Sequence, residues 1–235
     1  MKQTEEIQCI RIYGKTRSQE VERIAKEFQL TLYANEKDLT EFLYSPGSEI
    51  QLIFGYLLSS GTIQIPDDVH AIEFANDECR VSLSDEIEMW NPPQNEGEVT
   101  YEKLMEIREL LTENQVNHHA TRGFHGAILY DLSTQQWIVA EDIGRHNAVD
   151  KVLGFGLLEG YNLQDSVLLV SGRLISNIVS KGINAGVPII SSITVASFEG
   201  INLAINNNRT LMGGLSEKGC WLYHEGPMKV KTAIQ

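Results

Sequence analysis

Alternating apolar positions open the readable part of the chain. Phe28–Ala34 (FQLTLYA) and Leu39–Tyr44 (LTEFLY) read as two strand-like runs, and the polar stretch NEKD between them predicts a hairpin. Pro46-Gly47 ends this pattern. Ser48 and Gln51 are spaced as a capping box, so a helix is expected through Ile50–Leu58, stopped by Gly61. Val69–Phe74 and Arg80–Leu83 are further strand candidates, which makes this half a small α+β unit. The breaker-rich run Asn91-Pro92-Pro93-Gln94-Asn95-Glu96-Gly97-Glu98 then marks a boundary. The expected division is an N-terminal α+β subdomain over 1–98, mainly 28–90, and a second domain over 99–235.

Beyond the boundary the period changes. Thr100 is placed to cap a helix whose Leu104, Ile107, Leu110 and Leu111 share one face. Ala127–Tyr130 and Trp137–Ala140 read as strands, followed by a helix capped by Asn147 and carrying Ala148, Val149, Val152 and Leu153. Ser166–Val170 is a buried-type strand, and the helix after it runs to Ala185, where Gly186 and Pro188 end it. Strand Ile189–Ser191, a helix over Phe198–Ile205 and strands at Thr210–Met212 and Trp221–Tyr223 complete the series; Lys229 and Lys231 read as a solvated tail. Repeated β-α-β units predict an α/β fold with a parallel or mixed sheet between helices.

Composition narrows the function. A chain of 235 residues with 42% hydrophobic and 22% charged residues has the material for a large core, which excludes disorder. It has no run of about 18 apolar residues and no apolar signal-peptide core, so a cytoplasmic protein is expected. A net charge of −13 disfavours partnership with nucleic acid or anionic membrane. The three cysteines, Cys9, Cys79 and Cys220, are odd in number and form no C-x-x-C, so neither a disulfide framework nor a zinc site is expected.

Candidate chemistry falls at three places, because open α/β sheets bind ligands outside the carboxyl ends of their strands. Ser171-Gly172-Arg173 directly follows SVLLV and is expected to open a helix, where free amides and a guanidinium suit an anion. The plainer account is a helix cap with a surface arginine. Gly213 and Gly214 follow Thr210–Met212 and leave room for a ligand near the backbone, with Ser216 and Lys218 to meet it; a simple turn is the alternative. Glu141-Asp142-Ile143-Gly144-Arg145-His146-Asn147, continued by Asp150 and Lys151, is the densest polar cluster. A capped helix with an Arg145 ion pair would use only part of it, so a functional site is favoured. In Thr121-Arg122-Gly123-Phe124-His125, His125 suits proton transfer, a pocket hydrogen bond or a structural role. His118 and His119 are adjacent, which suits one metal ion poorly. The zinc-deaminase signature, the nucleophile elbow, the P-loop and the dinucleotide fingerprint are all absent.

The string EDIGRHNAVDK (Glu141–Lys151) resembles the FdhD/NarQ family of formate dehydrogenase accessory sulfurtransferases. GYLLSSGTI (Gly55–Ile63), TRGFHGA (Thr121–Ala127), SGR (Ser171–Arg173), KGINAGVPII (Lys181–Ile190) and TLMGG…WLY (Thr210–Tyr223) follow the family's order, so the likeness spans Phe28 to Tyr223. It implies a cytidine deaminase-like three-layer α/β/α sandwich with a mixed sheet. It also implies a cytoplasmic homodimer that takes sulfur from a cysteine desulfurase and binds the molybdopterin guanine dinucleotide cofactor as cargo for formate dehydrogenase. The implied cofactor pocket is Thr121, Gly123, His125, Arg145, His146, Asn147, Asp150, Lys151, Ser171, Gly172 and Arg173. Gly213, Gly214, Leu215, Ser216, Glu217, Lys218 and Gly219 would close over the guanine end.

Three departures stand out. Ser84 to Val99, where the family carries its C-x-x-C, has no cysteine. Thr-Gly-Gly has become Thr121-Arg122-Gly123, and Gly-Phe-x-Arg-Gly has become Gly213-Gly214-Leu215-Ser216-Glu217. A cofactor-binding accessory protein without the usual sulfur relay is therefore the expectation. The alternatives are a sulfurtransferase using Cys79 or Cys220, and a scaffold that docks on a dehydrogenase subunit without cofactor.

Overall fold

The computed structural model describes residues 2–87 and 95–232, so Asn91–Gln94 of the breaker run lie outside the described residues. Strands β1 (Thr4–Tyr13) and β2 (Thr16–Ala25) open the chain as an antiparallel hairpin. The sequence pattern does not announce this hairpin, because charged and β-branched residues share both of its faces and leave no clean alternation. Strands β3 (Phe28–Ala34) and β4 (Lys37–Tyr44) form the expected hairpin. Helix α1 (Glu49–Ser59), β5 (Val69–Ala75) and β6 (Glu78–Leu83) follow, giving a four-stranded sheet in the order β4-β3-β6-β5. Leu30, Leu32 and Ala34 alternate onto its buried face. The Ser48 capping box does not form. Instead the Glu49 carboxylate accepts from the amides of Gly47 (2.8 Å) and Ser48 (3.0 Å) at the mouth of α1.

The short strand β7 (Gly97–Thr100) leads into α2 (Tyr101–Asn114), where the Thr100 hydroxyl accepts from the Lys103 amide as the sequence predicts. Then come α3 (Val116–Thr121), β8 (His125–Asp131), β9 (Trp137–Asp142) and α4 (Arg145–Glu159). The chain continues through β10 (Ser166–Val170), α5 (Ser176–Asn184), β11 (Ile189–Ser192), α6 (Phe198–Asn206), β12 (Thr210–Ser216), β13 (Gly219–His224) and β14 (Met228–Lys231). Six of these strands make a mixed sheet in the order β13-β12-β11-β10-β8-β9, with β10, β11 and β12 mutually parallel. One face carries Ile128, Tyr130, Val167, Leu169, Ile189 and Met212 against Leu104, Ile107 and Leu111 of α2. The other carries Leu129, Leu168, Val170, Ile190 and Leu211 against the residues of α4, α5 and α6. The result is the expected α/β/α arrangement around a mixed sheet.

Four local expectations change. Helix α4 has its N-cap at Gly144 rather than Asn147, so Asn147 sits within its first turn. Arg173 does not open a helix: Leu174 bridges Ala196, and α5 begins only at Ser176. Gly213 and Gly214 lie inside β12 instead of following it. Lys229 and Lys231 belong to β14, which pairs in parallel with β7, and so are not a tail. Partners outside the local string decide each case: the Leu43 carbonyl takes the Asn147 side chain, Ala196 pairs with Leu174, β13 pairs with Gly213 and β7 with Lys229.

Helices α1 and α4 cross with their backbones in contact. A Cβ added to Gly55 would lie 1.7 Å from the Asp150 carbonyl oxygen, and one added to Gly154 would lie 1.9 Å from that of Gln51. Glycine at both positions is what permits this approach. The crossing joins α1, which covers the four-stranded sheet, to α4, which covers the six-stranded one. One hydrophobic core therefore runs from Leu30 through Leu57 and Val152 to Leu211.

Candidate functional site

A single sheet edge collects His125, Arg145, His146, Ser171, Gly172 and Arg173, with Gly213 and Gly214 beside them. The carboxyl ends of β10, β11 and β12 point to it, because the three strands are parallel. Antiparallel β8 begins there at His125, opposite Asp142 at the end of β9. The turns that meet are thus Ile143–His146, Ser171–Arg173, Ile193–Ala196 and the far part of β12. Their backbones are stitched together. Ser171 accepts from the Gly126 amide through Oγ (2.9 Å), and its own amide donates to the Gly126 carbonyl. The Ser192 hydroxyl donates to the Gly172 carbonyl at 2.7 Å. Arg145 packs on Gly172, where an added Cβ would lie 3.3 Å from its side chain.

The electrostatics of this edge favour an anion. Helix α4 has no side-chain cap at Gly144, so its first-turn amides lack helical partners and its dipole points at the edge. Arg145 Nε and His146 Nε2 are buried and have no hydrogen-bond partner among the described residues. Arg173 is exposed and makes no ion pair among the described residues. Burial lowers the pKa of His125, helped by Arg145 and His118; burial also lowers that of His146, helped by Arg145, Lys181 and His125. Both shifts favour the neutral imidazole, which suits hydrogen bonding over ion pairing.

Other members of the dense polar cluster do something different. Lys151 is 1% exposed, and its ammonium donates to Asp142 (2.6 Å) and to the Ser45 carbonyl (2.8 Å). Asp142 also accepts from the amides of Ser45 (3.0 Å) and Gly144 (2.8 Å) and from the Asn147 amide group (3.0 Å). Asn147 in turn donates to the Leu43 carbonyl at 2.7 Å. One helical turn on, Asp150 accepts from Ser59 Oγ at 2.6 Å and from Lys181 Nζ at 2.7 and 2.8 Å. Burial pushes the Asp150 carboxyl up, while Lys181 and Ser59 pull it down. The polar ends of Asn147, Asp150 and Lys151 are thus occupied by protein groups. They lock α4 to the end of β4 and to α1 and α5, and so set the edge without lining it. The Arg145 ion pair of the plainer account is not made among the described residues: Asp142 pairs with Lys151, and the Glu141 carboxylate accepts from the amides of Asn117 (2.8 Å) and His118 (2.7 Å).

The remaining candidates divide as follows. Thr121 ends α3, bonded to the Asn117 carbonyl, and Gly123 lies beside Ala25 at the foot of the β1–β2 hairpin. Leu215 turns into the core at 1% exposure. Ser216 and Gly219 close the β12–β13 turn on each other, with Glu217 and Lys218 exposed at its tip. Cys79 is fully buried in β6, its thiol pushed up to about 12 by burial; burial also raises that of Cys220 in β13. A carrier thiol must be reachable and ionisable, and Cys79 is neither. Among the described residues no three His, Cys, Asp or Glu are grouped to hold a metal ion, and no helix is long and apolar enough to cross a membrane. Sequence reading misses Ser45, Ser59 and Lys181 as partners of the cluster. Lys181 stands in one of the family-like strings, but nothing local links residues so far apart in the chain.

The FdhD/NarQ family model matches residues 25–96 and 84–230. A curated relative, the sulfur carrier protein FdhD of Sulfolobus acidocaldarius, is 33% identical over 81% of this chain and 84% of its own. The protein FdhD of Methanocaldococcus jannaschii is 48% identical over 40% of this chain and 41% of its own. Among solved structures, a protein assigned as a formate dehydrogenase accessory protein, from Desulfotalea psychrophila, superposes with a TM-score of 0.82 over 95% of this chain and 97% of its own, at 24% identity. Fold, motif order and these likenesses agree: the chain belongs to the FdhD/NarQ family.

Proposed function

We propose that this chain serves the maturation of a formate dehydrogenase by holding the guanine dinucleotide form of the molybdenum cofactor as cargo, without a C-x-x-C sulfur relay. The observation that carries the reading is the convergence at one sheet edge of Arg145, His146, Ser171 and Arg173, with two buried ring and guanidinium nitrogens left unpaired. Buried polar atoms are normally satisfied, so a pair of them beside free helix amides suits a ligand with oxygen acceptors. A pyrophosphate supplies these. The names of the relatives support the formate dehydrogenase connection, and the cysteine positions argue against Cys79 as a carrier. A cysteine desulfurase remains a partner only under the rival reading, in which Cys220 accepts sulfur.

Arg173→Ala is the direct test. It is expected to weaken GDP binding at least about tenfold, since one charge-assisted hydrogen bond contributes roughly 1.5–3 kcal/mol. His146→Ala should weaken it less, and both variants should keep the parent's melting temperature. Unchanged GDP affinity in Arg173→Ala, measured by calorimetry, would defeat the reading.

A homodimer is part of the same proposal, and the β1–β2 hairpin supports it. Ile10, Ile12 and Val21 are 53, 65 and 60% exposed on one face, and Tyr13 is 62% exposed on the other. A lone two-stranded ribbon is marginal in water, and both its edges are open. The chain exposes 12639 Å², about 2,000 Å² more than a compact monomer of its mass, which is on the scale of a homodimer interface. Ile10→Glu combined with Ile12→Glu should convert a dimer to a monomer in light scattering. A parent that is monomeric at micromolar concentration, or a variant that stays dimeric, would count against it.

A further inference from the structure

We propose that Trp221 and Phe198 form an aromatic rim that stacks on the planar ring of the nucleotide whose phosphate end sits at Ser171–Arg173; this rests on the reading above. At 68% and 73% exposed they are the two most exposed aromatic side chains among the described residues. Neither contributes to either core. Both lie at the candidate site's edge rather than elsewhere on the surface. Trp221 pairs with Gly213 across β12–β13, and a Cβ placed on Gly214 would lie 3.4 Å from its ring. Gly214 lets the indole lie against the bare backbone of β12, while the space at Gly213 is taken by the Tyr223 ring; the 68% exposure of Trp221 leaves the rest of its ring to a flat ligand.

Two backbone bonds and one to a side-chain hydroxyl tie this rim to the phosphate end. The Gly214 amide donates to the Thr194 carbonyl, the Leu174 amide to the Val195 carbonyl, and the Ala196 amide to the Tyr223 hydroxyl. Arg173, the Val195–Phe198 turn and Trp221 therefore belong to one continuous border. Strands lie about 4.8 Å apart, so the end of β10 and the ring on β13 are separated by about 14 Å. An extended nucleoside diphosphate has its charge and its ring at two ends in this way. An exposed tryptophan on an edge strand is otherwise costly, because edges usually carry charge to discourage association. A purine or pterin face would cover it, and stacking tolerates any flat heteroaromatic ring.

The experiment compares GDP with inorganic pyrophosphate by calorimetry on the parent, Trp221→Ala, Trp221→Phe and Phe198→Ala. Trp221→Ala should bind GDP about tenfold more weakly and pyrophosphate as the parent does, because only the ring contact is lost. Trp221→Phe should recover most of the GDP affinity, and Phe198→Ala should show a smaller loss than Trp221→Ala. Melting temperatures should match the parent's, since both rings are exposed. Equal GDP affinity in parent and Trp221→Ala overturns the aromatic rim alone, and so does a Trp221→Ala variant that keeps GDP but loses a dehydrogenase subunit. A parent that binds no GDP overturns both the rim and the function it rests on.

Discussion

Gly154→Ala should destabilise the protein by about 3 kcal/mol, the upper range for overpacking a filled interior. The sign of this effect is the informative part. Alanine is favoured over glycine inside a helix by about 1 kcal/mol, so helix propensity alone predicts a more stable protein. Packing predicts the reverse, because the new methyl would stand 1.9 Å from the Gln51 carbonyl oxygen. That neighbour is backbone and cannot swing aside, so α1 and α4 must separate. Separation would also loosen Leu52, Val149 and Val152, which are fully buried in the shared core. For a domain of this size each kcal/mol shifts the melting temperature by about 2–4 °C, so a drop of roughly 10 °C is expected. Gly55→Ala should behave alike. Urea unfolding that finds either variant as stable as the parent would show that the helices do not cross as described.

Lys151→Met is expected to cost about 3–5 kcal/mol, the range for removing one member of a buried ion pair. Methionine fills nearly the same volume, so little of the loss would come from a cavity. What remains is Asp142, 0% exposed, with its cation gone. Its bonds from Ser45, Gly144 and Asn147 stabilise the carboxylate but do not neutralise it. Adding Asp142→Asn to Lys151→Met should restore part of the stability, because the stranded charge disappears. Chemical denaturation of the two single variants and the double variant gives the cycle. A single variant within about 1 kcal/mol of the parent would mean that the pair does not hold α4 to the Ser45 turn.

Much of the fold is legible in the sequence because local patterns and tertiary structure agree. SVLLV forms β10 without adjustment, Thr100 caps α2, and the hairpin of β3 and β4 forms, its turn narrowed from NEKD to Asn35-Glu36. The departures share one cause. Neighbours in sequence suggest one setting for Arg173, Asn147 and Lys229, but their actual settings come from Ala196, Leu43 and β7. The β1–β2 hairpin is hidden since neither face is buried, and burial is what creates a period of two. At the site, strand order alone brings the Arg145-His146 and Ser171–Arg173 turns to one edge. Sequence does not tell Lys151 from Arg173, as both are cations near a strand end. Only the fold reveals that one is enclosed by Asp142 and Ser45 while the other faces solvent.

The proposed function places a guanine nucleotide at this edge. Calorimetric titration of the purified parent with GDP tests it most directly. Saturable binding near one GDP per chain, competed by inorganic pyrophosphate and weakened in Arg173→Ala, is the predicted result. Absence of saturable heat, or GDP binding that neither pyrophosphate nor Arg173→Ala affects, would contradict it.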